Sequence, residues 1–89
     1  MLKIQIKKIT EEEIEKEQIK NWGIWSKEKS KFDWYYDMEE HCYIIEGEVI
    51  VKTDWEEVKI KAGDYVIFPK GLKCVWDIKK DIKKYYNFK

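Results

Sequence analysis

The chain has 89 residues, enough for one domain (1–89), and its 44% hydrophobic content excludes intrinsic disorder. Its 18 basic residues, all lysine, cancel its 18 acidic ones, so the net charge of zero argues against a general polyanion binder. With no arginine, no bidentate guanidinium clamp for phosphate or carboxylate exists. A chain this short buries only about 60–65% of its unfolded surface, and the 16% aromatic content is how a small core can be filled. Two cysteines are too few for a disulfide scaffold. No apolar signal region follows Leu2-Lys3, and no apolar run nears the roughly 20 residues that span a bilayer, so a cytoplasmic chain with no membrane role is expected.

In chain order, residues 2–9 alternate apolar and polar through Leu2, Ile4 and Ile6, the period of a half-buried strand. Thr10 with Glu13 makes a capping box for a short helix over Thr10–Lys20, and its thin apolar stripe of Ile14 and Ile19 suggests a cover for something larger. From residue 22 the pattern is β: "NWGIW", "SKFDWYYD", "CYIIEG", "EVIVKT", "EEVKI", "DYVIFP", "LKCVWDI" and "IKKYYNF". Short strands at such spacing predict an antiparallel sandwich or barrel. Turns are expected at Glu46-Gly47, Asp54, Ala62-Gly63-Asp64 and Pro69-Lys70-Gly71, with Asp64 bonding backbone amides in an Asx-type role. A hairpin reversing at Gly47 is expected.

Two spacings are more specific than the strand count. Glu40 is followed by six residues and Gly47, and "GDYVIFPKGLKC" sets Gly63, Pro69, Gly71 and Cys74 at fixed intervals. These resemble the two motifs of the cupin family over roughly residues 30–86. "NWGIW", "FDWYYD", "FPKG", "CVW" and "KKYY" look like single-domain bacterial cupins similar to the cupin domain of ureidoglycine aminohydrolase. The resemblance implies an all-β fold, a small jelly-roll antiparallel β-barrel with one short N-terminal helix, often a homodimer. It also implies a metal held by histidines, but Trp34 and Tyr36 stand where two of them belong and Cys74 where the last belongs, leaving Glu40 alone of four ligands.

Strand parity turns His41 away from the interior and groups Trp34, Tyr36, Glu40, Cys42 and Ile44 inside, with Cys74 and Trp76 in phase with each other. The expected site is therefore a small-molecule pocket lined by Trp34, Tyr36, Cys42, Cys74 and Trp76 around Glu40, which could serve as general acid or base without a metal or other cofactor. The alternatives are a filled core, a metal enzyme with the altered ligands Glu40, Cys42 and Cys74, and a non-catalytic module binding single-stranded nucleic acid through "KKDIKKYYNFK". That last stretch also alternates as a lysine-protected edge strand, so no nucleic-acid partner is expected.

Overall fold

The computed structural model describes residues 2–89, and its strands all belong to one antiparallel sheet. The chain runs β1 (Gln5–Lys8), α1 (Glu11–Lys16), a 3-10 turn (Ile19–Asn21), β2 (Gly23–Lys27), β3 (Ser30–Tyr35), β4 (Glu40–Lys52), β5 (Glu57–Lys61), β6 (Asp64–Phe68) and β7 (Lys73–Phe88). Two long strands form the spine. β4 and β7 pair along most of their length, from Glu40 opposite Phe88 to Lys52 opposite Val75. Each changes its outer partner midway: β4 pairs first with β6 and then with β5, and β7 first with β3 and then with β2. β1 extends the sheet beyond β6. The sheet thus folds along one line into two halves, and it does not close, since β1, β2, β3 and β5 each have one partner only.

The fold line is where the predicted hairpin fails. Gly47 has φ +99°, yet β4 continues through it, and the ladder with β7 slips register between Ile44 and Val49. A Cβ at Gly47 would strike the Asp81 carbonyl oxygen and lie 2.8 Å from the Ile82 Cα. Glycine is required here by both dihedral and contact, but for a β-bulge rather than a reversal. The same bend carries "LKCVWDI" and "IKKYYNF" through as one strand of 16 residues.

Elsewhere local chemistry behaves as the residues suggest. Thr10 and Glu13 form the reciprocal capping box at 3.1 and 3.2 Å. The helix is shorter than expected because Gln18 adopts φ 54°, after which the chain tightens into the 3-10 turn. Asp64 is buried, accepts from the Lys61 amide at 2.9 Å and pairs with Lys8. Pro69 lies just beyond the end of β6, where its missing N–H costs no ladder bond.

The two faces bury different clusters. Inside the fold lie Tyr36, Cys42, Ile44, Val49, Val51, Ile60, Val66, Phe68, Leu72, Trp76, Ile78 and Ile82. Interior residues of β4 change from even to odd numbers across Gly47, where the ladder with β7 shifts register three times between Ile44 and Val49. On the outer face α1 and the following turn cover Tyr65 with Ile14 and Ile19. No helix among the described residues is long and apolar enough to cross a membrane.

Candidate functional site

Where the two half-sheets leave a gap at the β2–β3 side, a cavity of about 210 Å³ opens. That is below the roughly 300–1,000 Å³ typical of drug-sized ligands and suits a small molecule. Its walls are aromatic: Trp25 from β2, Phe32 and Trp34 from β3, Tyr36 just after it, and Trp76, Tyr86 and Phe88 from β7. The rings brace one another. Phe32 stacks on Trp76 with centroids 6.2 Å apart, Trp25 meets Trp76 edge-on at 5.9 Å, and Tyr36 stacks on Phe68 at 4.8 Å. Gly23 permits this wall, because a Cβ there would fall 2.7 Å from the Tyr86 ring.

Two charged groups complete the lining, Glu40 and Lys84. Lys84 donates to Glu40 Oε2 at 2.7 Å, with side chains only 6% and 4% exposed. The ammonium also faces two rings, 4.6 Å from the Trp76 centroid and 5.0 Å from that of Trp25. Cation–π attraction strengthens when desolvated, so the rings hold this cation as well as the carboxylate does. Register fixes both partners in mid-sheet. Lys84 pairs across strands with Ile44 and Trp25, and Glu40 lies opposite Phe68 and Phe88.

The expected site is partly assembled. Trp34, Tyr36, Glu40 and Trp76 share the cavity, with Trp34 46% exposed at its mouth. The cysteines do not join them. Both cysteines are buried in the core outside the cavity wall, as parity expected, and Cys74 also borders a separate open groove with Asp33, Tyr35 and Lys73. Burial pushes the Cys42 thiol up to about 12, despite the opposing pull of Lys84, and the Cys74 thiol up to about 11. Neither is a ready thiolate nucleophile. The Tyr36 phenol is held well above its ordinary value by burial and by the neighbouring Glu40 charge, so it remains a neutral hydroxyl beside the pair.

The altered metal set of Glu40, Cys42 and Cys74 does not form. Among the described residues no three His, Cys, Asp or Glu side chains gather as a metal would need. Indole at Trp34 supplies no ligand, and Glu40 already holds an ammonium. The donors present therefore do not fit a divalent ion.

His41 faces the other way, as parity requires. Its Nδ1 lies 2.7 Å from the Tyr65 hydroxyl and its Nε2 2.8 Å from Glu39. The residue that sequence reasoning missed is Lys84, read as part of a lysine-rich edge strand. The signal was present, since Lys84 is in phase with Trp76, Ile82 and Tyr86. That period also selects Phe88, and the aromatic run of "NWGIW" and "SKFDW" contains Trp25 and Phe32.

The EutQ-like cupin domain model matches residues 14–86. A DUF861-family protein of Thermotoga maritima (TM1112) is 44% identical, with a TM-score of 0.95 over 98% of this chain and 100% of that one. The EutQ protein of Clostridium difficile shares the fold at a TM-score of 0.68 and 20% identity, over 98% of this chain and 68% of that one. Among curated proteins, "Putative dioxygenase SSO1533" of Saccharolobus solfataricus is 33% identical over 45 residues, which are 51% of this chain but 12% of that protein. By its motifs, its fold and the model spanning most of its length, the chain belongs to the EutQ-like cupin domain family.

Proposed function

We propose that this cupin binds a small metabolite, neutral or zwitterionic overall, with a flat body and one polar end, without the histidine-held metal usual in the fold. The observation that carries the reading is the desolvated Glu40–Lys84 pair in the wall of an aromatic cavity. The pair's charges cancel, so a ligand with net charge would meet no uncompensated partner there. A ligand with both a donor and an acceptor can bridge the pair, since Lys84 has three N–H donors and gives one to Glu40. The rings supply apolar contact for the rest of the molecule. Glu40 lines the cavity, which gives general acid–base catalysis a place to act.

The dioxygenase name borne by the archaeal relative is not carried over, because the match covers a small share of that protein and the donors here do not fit a metal. Two buried free thiols suit a reducing, cytoplasmic setting. A homodimer is proposed from the resemblance, and the exposed Ile24, Trp34 and Tyr35 on the edge strands β2 and β3 support it; size-exclusion chromatography with light scattering tests it.

Tryptophan fluorescence tests the binding reading, since Trp25, Trp34 and Trp76 all line the cavity. Titration with a panel of small neutral and zwitterionic ring compounds should produce saturable quenching for some members, weakened by Trp34→Ala. Absence of quenching across the panel would overturn the proposal.

A further inference from the structure

Lys84 is the only buried lysine among the described residues of a chain that has 18. Its backbone is locked between β4 and β2, so its side chain has a fixed line of approach to the cavity. Its ammonium has shed most of its water, touches one carboxylate and otherwise faces ring surfaces. A structural ion pair needs no cavity beside it. Here the amine forms part of the wall of a space large enough for one ring, given that an apolar cavity of about 150 Å³ accepts benzene. The carboxylate and the ring faces favour the charged amine, so carbonyl chemistry here depends on Glu40 taking a proton as the cavity holds a carbonyl carbon against Nζ.

We propose that Lys84 forms a reversible imine with a small flat aldehyde or ketone held in the aromatic cavity, with Glu40 carrying the proton. The inference rests on the binding reading above and adds a covalent step to it. Lys84 passes one proton to Glu40 across their hydrogen bond, and the freed lone pair on Nζ attacks the carbonyl carbon. The Nζ–C bond forms as the C=O π bond breaks, and the resulting oxygen takes the proton back from Glu40. A second proton leaves Nζ through Glu40 to that oxygen, water departs, and the nitrogen lone pair closes the C=N bond. Ammonium plus carbonyl gives protonated imine plus water, with nothing oxidised or reduced. The carboxylate 2.7 Å away suits this relay, and the cation–π contacts would hold the protonated imine as they hold the ammonium.

The native protein is incubated with benzaldehyde and sodium cyanoborohydride, whose hydride reduces the C=N bond and makes the link permanent, and the modified lysines are mapped by peptide mass spectrometry. Lys84 should be labelled roughly ten-fold or more faster than the exposed lysines, which act as internal controls. K84R should abolish that fast label, and E40Q should slow it while leaving the surface labelling unchanged. The wild-type map alone decides the matter if a variant fails to fold: labelling of Lys84 no faster than the exposed lysines overturns the proposal. Benzyl alcohol, which cannot form an imine, separates the two readings by tryptophan quenching. Quenching without fast Lys84 labelling ends the imine and spares the binding site. Neither signal ends both.

Discussion

Residues 39, 40 and 41, where the chain enters β4, place two acid–base pairs on its opposite faces, at almost the same distance. Inside, Glu40 meets Lys84 at 2.7 Å with both side chains nearly dry. Outside, Glu39 meets His41 at 2.8 Å with side chains 44% and 13% exposed. Equal geometry gives unequal energetics. The outer pair stays partly hydrated and contributes little, about 0–1 kcal/mol in typical exposed cases. The inner pair gives up hydration for a single hydrogen bond and two ring faces, so each partner depends on the other. That charged pair, placed in the wall of a cavity, is what supports the binding reading.

The largest test of this contrast removes one inner partner. Lys84→Met should cost about 3–5 kcal/mol by leaving a bare carboxylate in the interior. The double variant Glu40→Leu with Lys84→Met should recover most of that stability while losing ligand-induced quenching. Urea unfolding reads both, and a single-variant loss under about 1 kcal/mol would erase the difference between the faces. Glu40→Gln, expected to be neutral if Glu40 were an isolated carboxylate, should now destabilise, because it strands the ammonium.

The inner face should also respond to alkali. The Cys42 thiol titrates higher folded than unfolded, from an ordinary value near 9.0 to about 12, so the native state keeps a proton that the unfolded chain releases. That stability is fully present below pH 9 and falls as pH rises towards 12, at about 1.4 kcal/mol per unit for one group. Comparing unfolding at stepped pH for wild type and Cys42→Ala should show a shallower alkaline slope in the variant; parallel slopes would refute the assignment. At the mouth, Trp34→Ala should weaken binding by about 0.5–1.5 kcal/mol, an aromatic contact's worth, and leave stability nearly unchanged. The smallest effect belongs to the outer pair: Glu39→Gln should change stability by about 0–1 kcal/mol.

Much of this was legible in the chain and some was not, for physical reasons. The capping box depends on local chemistry, so the helix start could be read directly, whereas the strand pattern alone reached an antiparallel β fold and the cupin reading came from the resemblance that the motif spacings carry. The parity of β4 placed Glu40 inside and His41 outside correctly, because no bulge lies between Glu40 and Ile44. The same rule brought Cys42 inside but could not say that packed core, rather than cavity, surrounds it. Gly47 was misread because a positive φ serves a reversal and a bulge alike, and only the approach of Asp81 and Ile82 distinguishes them. Lys84 was missed because a lysine among lysines suggests solvent, although its phase with Trp76 and Tyr86 points inward. Its meaning depends on Glu40, which lies 44 residues away in sequence.

The long pairing of β4 with β7 carries a consequence for how the molecule assembles. The rungs at Lys52 and Val75 close the shorter loop, and those at Glu40 and Phe88 the longest. Loop-closure entropy favours zipping from the former towards the latter, past the bulge at Gly47. The carboxylate and the ammonium therefore meet late in folding, at the end of the ladder nearest the C-terminus. Native-state hydrogen exchange should show the amides around Cys42 and Lys84 opening before those around Val51 and Trp76.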